Sequence, residues 1–196
     1  MAVDHNERRR KIADLCVKII AKEGIDATTV RRIADELGYS TTVVTYYFAN
    51  KSELMLWTYQ SLHEETYGKV QALYDSDPSD VAGCLLSMTA ADEVSFDRWR
   101  TYVAFWDRAS HEPHWAIRQR QDLEEAIEWI GRFVRARNGE QANVPEISRV
   151  LNTFIQGLSV QALMDRDSWS KELILAEIGR VLSLVLEAPA SVRECG

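Results

Sequence analysis

The sequence has little of the residues that mark several protein classes. Its 196 residues include nine glycines, four prolines and three cysteines. So little glycine and proline excludes collagen-like and low-complexity chains. The cysteines at positions 16, 84 and 195 are widely spaced and form no C-x-x-C pair. This spacing favours reduced thiols in the cytoplasm over a disulfide framework.

Long apolar runs are also absent. No stretch of 18 apolar residues occurs, so no transmembrane helix and no membrane partner are expected. The acidic and basic N-terminus, with Arg8, Arg9 and Arg10, is not followed by an apolar stretch of the signal-peptide type. We therefore expect the protein to stay in the cytoplasm.

An excess of basic charge is missing too, since the net charge is −7. Taken alone, this value argues against a protein that coats nucleic acid or an acidic membrane. Residues 1–56, however, hold nine basic and eight acidic residues, whereas residues 57–196 hold 14 and 22. Any contact with DNA should therefore come from the first quarter of the chain.

Apolar residues recur with helical spacing almost everywhere. Ile12, Cys16 and Ile19 follow the i, i+4, i+7 pattern, and no segment shows convincing strand alternation. We predict an all-α fold of about nine helices, with an N-terminal three-helix domain and a larger C-terminal helical domain. Two of the middle helices are predicted at about 79–94 and 95–108.

A helix-turn-helix pattern occupies residues 29–48. Its first short helix, capped by Thr28 or Thr29, ends at Gly38, which can adopt the left-handed conformation of a sharp turn. A second short helix is predicted from about residue 40 to 46. This arrangement is the supersecondary motif of many DNA-binding proteins, although spacing alone also fits a three-helix packing unit without a DNA role.

The second short helix has two chemically different faces. Val44 and Phe48, four residues apart, should anchor it to the core. The other face offers hydroxyls, a methyl group and an aromatic ring, which suit base edges, thymine methyls and phosphates in a major groove. The residues of that face are Thr41, Thr42, Val43, Thr45 and Tyr46.

The stretch 28–54, which ends in Tyr46-Tyr-Phe-Ala-Asn-Lys-Ser-Glu-Leu54, resembles the signature of the TetR family of bacterial transcriptional regulators. In that family the second short helix enters the major groove, and the following segment contacts phosphates. The resemblance implies base contacts by Thr41, Thr42 and Val43, base or phosphate contacts by Tyr46 and Tyr47, and phosphate contacts by Lys51, Thr29 and Arg31.

Two positions depart from the family pattern and leave the operator sequence open. Thr45 stands where many members have tyrosine, and Thr42 stands where glycine is frequent. The local clustering of basic residues supports DNA binding. These basic residues are Arg8, Arg9, Arg10, Lys11, Arg31, Arg32 and Lys51. For the four basic residues at positions 8–11, a solvated helix start is an equal alternative.

Aromatic residues are concentrated between positions 57 and 115. Trp99, Tyr102, Phe105 and Trp106 form a helical stripe, and Trp115 follows it. Such a stripe fits a filled core or, equally, the wall of a ligand cavity. Because Asp92 and other carboxylates lie nearby in the sequence, we predict an effector site for a small molecule, with an organic cation as the favoured class.

The last two predicted helices, at about 145–165 and 170–187, are more apolar than one buried stripe requires. A homodimer formed through these helices would cover the excess, and this matches how TetR-type proteins dimerise. A two-fold dimer would read a palindromic DNA operator.

Residues of about 100–165 also resemble the ligand domain of the BetI-like branch of the family. The resemblance rests on Ala104-Phe-Trp106 and on the stretch from Phe154 to Asp165. That branch is associated with regulation of the choline pathway, but its members sense varied small molecules. We therefore expect a DNA-binding domain at 1–50, a ligand-binding and dimerisation domain at 51–188 and a flexible tail at 189–196.

The prediction is a ligand-responsive repressor that is released from its operator by a small molecule. A DNA-bound scaffold regulated by a protein partner is the main alternative. An enzyme is not expected, since no phosphate-binding glycine loop or nucleophile motif occurs, and no cofactor is expected. His111 and His114 flank Pro113, and this spacing favours a surface turn over a metal site.

Overall fold

A computed structural model describes residues 5–140 and 143–186. Within these ranges the chain forms nine α-helices and one 3₁₀ turn at Ile25–Ala27, and no strand occurs there. The all-α prediction is confirmed. The helices are α1 (His5–Glu23), α2 (Val30–Leu37), α3 (Thr41–Tyr47), α4 (Lys51–Ser76), α5 (Val81–Ser87), α6 (Glu93–His111), α7 (Pro113–Asn138), α8 (Val144–Met164) and α9 (Lys171–Leu186).

The chain divides into two compact units. One consists of Met1–Gly68 with Phe96–Ala116, and the other of Lys69–Ser95 with Ile117–Gly196. The expected tail at 189–196, with Cys195, and the predicted helix end at 187 lie outside the described residues. Within those residues, no helix is both long enough and apolar enough to cross a membrane.

The predicted boundary between the two middle helices is wrong. Helix α5 ends at Ser87 instead of 94, and α6 begins at Glu93. The Ser95 backbone N–H donates to Asp92 Oδ1 at 2.8 Å, and the Asp92 N–H donates to Ser95 Oγ at 2.8 Å. This reciprocal cap begins α6 two residues before the predicted start at about 95, whereas the end of α5 at Ser87 is the part that apolar spacing did not reveal.

The first unit has a core built from the helical stripe of α1. Ile12 and Cys16 of α1 are fully buried, as predicted, and they join a buried cluster with Ile33 of α2 and Val44 of α3. Burial raises the pKa of the Cys16 thiol to about 12, so the thiol stays protonated and behaves as a small apolar side chain.

In the second unit, α9 packs against α5 and α8. Ile174, Ile178 and Leu182 of α9 are buried, whereas other apolar residues of α8 and α9 remain exposed. The Ala90 N–H donates to Ser159 Oγ of α8 at 3.2 Å. This bond anchors the segment between α5 and α6 to α8.

Candidate nucleic-acid interface

Helices α2 and α3 form the predicted helix-turn-helix. The Thr29 hydroxyl accepts a hydrogen bond from the Arg32 N–H at 3.2 Å and caps α2. Gly38 ends α2 with φ +66°, as predicted, and the Tyr39 N–H donates to the Ala34 carbonyl at 2.8 Å. The turn is therefore fixed by backbone bonds and by one glycine in the left-handed region.

Helix α3 presents one buried and one exposed face. Val44 and Phe48 are almost fully buried, as predicted, and Val43 is half-buried. A short helix is not stable alone, so this buried face holds α3 against the rest of the unit. The polar face is open to solvent and carries Thr41, Thr42, Thr45 and Tyr46.

The side chains of the exposed face differ in their exposure and in the hydrogen-bonding capacity that remains available for DNA. The Thr45 hydroxyl donates to the carbonyls of Thr41 and Thr42 at 3.1 and 3.2 Å, so only its acceptor capacity remains. Tyr46 is 74% exposed and projects its aromatic ring towards solvent. Tyr46 is therefore the most accessible aromatic group of this face.

Tyr47 lies in a different environment from Tyr46. It is 9% exposed and belongs to the buried cluster of the first unit. Its ring lies 4.6 Å from the His5 ring and 5.2 Å from the Tyr46 ring, measured between centroids. The structure thus gives Tyr47 a packing role, which agrees with its place three residues after Val44, although the family resemblance implied a DNA contact.

All three residues predicted to contact only phosphates stand near helix N-termini. The Arg31 side chain, in the first turn of α2, is 88% exposed and lies 3.9 Å from Asp35. Lys51 opens α4, and its Nζ lies 3.4 Å from the Asp26 carbonyl. With Thr29 they place two cations and a hydroxyl at the starts of two helices, where an anion is also favoured by the helix dipole.

Not all basic residues of the segment are available to DNA. Arg32 donates to both carboxylate oxygens of Glu23 at 2.6 and 2.7 Å and to Glu36 at 2.7 Å. Lys11 pairs with Glu7 at 2.7 Å, and that hydrogen bond raises the Lys11 pKa. Sequence clustering overstated the free positive charge, and the i, i+4 spacing of Arg32 and Glu36 is a signal that could have revealed one of these pairs.

Sequence reasoning missed the contacts of Arg9. Its Nη2 donates to the Tyr47 carbonyl and to Glu53 Oε1, both at 3.2 Å. The Glu53 N–H in turn donates to Asn50 Oδ1 at 2.9 Å, so the Asn50 side chain caps the N-terminus of α4. The sequence does carry one signal, since Arg9 stands three and seven residues before the buried Ile12 and Cys16 and therefore lies on the apolar stripe of α1.

The predicted effector-site aromatics come together within the first unit. The Trp99 ring lies 6.0 Å from Tyr102 and 5.7 Å from Trp106, and Phe105 lies 4.8 Å from Trp115. Trp99, Phe105 and Trp115 are buried, while Tyr102 and Trp106 are half-buried. Tyr59 of α4, which was not among the predicted site residues, contacts Tyr102, Phe105 and Trp115 at 4.9 to 5.9 Å.

The carboxylates predicted near these rings have other contacts. Asp92 is exposed and caps α6 through Ser95. Glu112 accepts from Arg108 Nε at 2.8 Å and lies 3.6 Å from His114 Nε2. His111 and His114 are both exposed, as expected for a surface turn.

Helices α8 and α9 expose the apolar surface expected of an interface. On α8, Val150 is 51% exposed and Met164 is 83% exposed, and on α9 Leu184 is 71% exposed. A Cβ added at Gly157 or Gly179 would meet no atom within 4 Å. Both glycines therefore leave room for a close approach from outside the chain.

Two family models match the chain. One, described as bacterial regulatory proteins of the tetR family, matches residues 12–56. The other, described as the C-terminal part of BetI-type transcriptional repressors, matches residues 79–187, which is more than half of the chain. The first match contains the helix-turn-helix, and the second contains α5 to α9.

Individual proteins agree with these models. The regulator PksA of Bacillus subtilis is 28% identical over 56% of this chain, which spans about half (55%) of that protein. The regulator BetI of Klebsiella pneumoniae is 24% identical over 85% of this chain and 87% of its own length. A transcriptional regulator from Saccharomonospora viridis, solved in complex with choline, shares the fold with a TM-score of 0.79, at 18% identity over 91% of this chain and 96% of its own.

The fold and the exposed face of α3 define a helix-turn-helix transcription regulator, and the relatives are regulators rather than enzymes. The chain belongs to the TetR family of bacterial transcriptional regulators, with a BetI-type C-terminal region. Both resemblances predicted from the sequence are confirmed.

Proposed function

We propose that the protein is a ligand-responsive repressor that binds a palindromic DNA operator as a homodimer in the cytoplasm. The observation that carries this proposal is the division of α3 into a buried face and an open hydroxyl and tyrosine face. We keep residues 1–50 as the DNA-binding domain and 51–188 as the ligand-binding and dimerisation domain.

The proposed interface uses the exposed residues of the motif. Thr41, Thr42, Val43 and Thr45 would face bases, and Tyr46 would reach a base or a phosphate. Thr29, Arg31 and Lys51 would bind the backbone and fix the register. We leave out Tyr47, because its side chain is buried in the core of the first unit.

The experiment is a selection of wild-type protein on randomised duplexes of about 30 base pairs, long enough for two half-sites one helical turn apart. We expect a palindromic consensus, which fluorescence anisotropy then compares with a scrambled duplex. If the dimer makes about 6–10 phosphate contacts, affinity should fall by roughly 10³–10⁵ between 50 and 200 mM salt. Recovery of no consensus would contradict the proposal.

For the effector we propose a small organic cation. The support is the cluster of aromatic faces at Trp99, Tyr102, Phe105, Trp106 and Trp115, together with the choline bound to the Saccharomonospora viridis regulator. We rest recognition on the rings, because the Asp92 carboxylate already caps α6.

The buried cluster also supports a route from effector to DNA. Phe105 and Trp115 belong to the same buried core as Val44 and Phe48, which hold α3. A ligand that repacks these rings would favour a state in which α3 is misplaced, and it would weaken DNA binding by its differential affinity for the two states.

The test adds choline or its neutral isostere 3,3-dimethylbutanol to the protein–duplex complex. Choline alone should release the DNA, since only the cation gains from the ring faces. Release by both compounds, or by neither, would contradict a cation site. If the rings form only a filled core, the scaffold regulated by a protein partner becomes the better function.

A further inference from the structure

One side chain of α1 connects three parts of the DNA-binding region. Arg9 Nη2 donates to the backbone carbonyl of Tyr47, at the C-terminus of α3, and to Glu53 Oε1 in the first turn of α4. Its Cζ lies 4.9 Å from the ring centroid of Phe48 and 5.1 Å from that of Trp57. The guanidinium therefore contacts the end of α3 and the start of α4 together.

The partner of Arg9 is itself held on the segment between these helices. Glu53 Oε2 accepts a hydrogen bond from the Ala49 N–H at 2.7 Å, and the Glu53 N–H donates to Asn50 Oδ1 at 2.9 Å. The carboxylate therefore joins the 49–50 connection to Arg9. A displacement of α4 relative to α3 would break these bonds.

The contacts of Arg9 can fix the orientation of α3 and stabilise its C-terminus. Helix α3 has only seven residues, so its orientation depends on tertiary contacts. A cation that donates a hydrogen bond to a carbonyl at a helix C-terminus also complements the negative end of the helix dipole. Arg9 supplies this cation where α3 ends, while the ring faces of Phe48 and Trp57 fix the plane of the guanidinium.

The same contacts distinguish Arg9 from a phosphate ligand. Its side chain is 22% exposed, and its charge is paired with Glu53. The Arg31 side chain, in contrast, is 88% exposed. Arg9 is thus placed to act through α3 and not on DNA directly.

We propose that Arg9 is a positioning residue that locks the recognition helix α3 to α4 and thereby sets how well the protein discriminates its operator from other DNA. This inference rests on the proposed function and adds to it a residue that governs specificity without touching a base. It also makes the Arg9–Glu53 pair a part of the connection between α4 and α3.

The test compares Arg9→Met with Lys11→Met, which removes the same charge from the same helix. Lys11 is half-exposed and pairs with Glu7. Anisotropy measures the affinity of each variant for the selected duplex and for its scrambled counterpart, after thermal unfolding has shown that both variants are folded. We expect Arg9→Met to lose about tenfold or more in the ratio of the two affinities, and Lys11→Met to keep the wild-type ratio.

Each other outcome would overturn the proposal. An equal loss on both duplexes beyond that of Lys11→Met would make Arg9 a phosphate contact. An unchanged ratio of the two affinities would mean that Arg9 does not influence how the protein discriminates between DNA sequences. If the wild-type protein itself shows no preference for a selected duplex, the proposed function fails before Arg9 is tested.

Two further variants keep the test decisive if Arg9→Met does not fold. Arg9→Lys retains the charge but lacks the planar fork, so it should bind scrambled DNA normally and still lose discrimination. Glu53→Gln should lower the same ratio, and its effect should not add to that of Arg9→Lys, since both break one contact. Full discrimination by Arg9→Lys, or additive losses, would contradict the proposal.

Discussion

Arg32 forms a bidentate salt bridge with Glu23, in which Nη1 and Nη2 lie 2.7 and 2.6 Å from the two carboxylate oxygens. The pair ties the first turn of α2 to the last residue of α1. Because this hydrogen bonding lowers the pKa of Glu23, the folded state holds the carboxylate ionised to lower pH than the unfolded chain does.

The Glu23 pair should make stability depend on acid pH. Its contribution is present above the ordinary pKa of glutamate and is lost as pH falls through the lowered folded value. We expect Glu23→Gln to flatten the fall of the free energy of unfolding in this range, as measured by urea denaturation at several pH values. In an Arg32→Met background, the same substitution should change the profile little, and an undiminished effect there would contradict the pairing.

Substitution by alanine should change the free energy of unfolding in opposite directions at Gly38 and at Gly68. Gly38 has φ +66°, and an added Cβ would meet no atom within 4 Å, so Gly38→Ala should cost about 1–2 kcal/mol through backbone strain alone. Gly68 lies within α4 with equally open space around it, so Gly68→Ala should stabilise by about 0.5–1 kcal/mol. Thermal and urea unfolding measure both, and equal signs would contradict the left-handed turn.

Tyr46 and Tyr47 should separate DNA binding from folding. Tyr46 is 74% exposed, so Tyr46→Ala should change stability by less than about 1 kcal/mol while abolishing preference for the selected duplex. Tyr47 is 9% exposed, so Tyr47→Ala should cost about 3 kcal/mol of stability. Anisotropy and thermal unfolding of both variants test this, and a stable Tyr47→Ala protein that fails only on DNA would restore Tyr47 to the interface.

Leu184 should lie in the dimer interface. It is 71% exposed on α9, so Leu184→Glu should shift the protein towards monomer in analytical ultracentrifugation without unfolding it. Leu73 of α4 is also exposed, at 44%, and lies outside α8 and α9. Leu73→Glu is therefore the matched control, and an unchanged dimer in Leu184→Glu would contradict an α8–α9 interface.

The sequence by itself determined the helical class, the helix-turn-helix and the family. These rest on local causes: apolar residues at helical spacing, a glycine that can turn left-handed and residues that cap their own helix, as Thr29 does. Local caps also set boundaries that a pattern misses, and the reciprocal bonds of Asp92 and Ser95 begin α6 at Glu93, whereas apolar spacing carried the preceding helix to about 94.

Only the tertiary structure decided which contacts neighbouring residues of the same type make. Tyr46 and Tyr47 are adjacent and chemically identical, yet one is exposed and the other is buried, because α3 is held by its Val44 face. Arg9 meets the end of α3 and the start of α4, whose residues lie 38 to 44 positions away in the sequence. Helical spacing places Tyr47 on the face of Val44 and Arg9 on the face of Ile12. The distant residues that these side chains meet depend on long-range contacts, which that spacing does not encode.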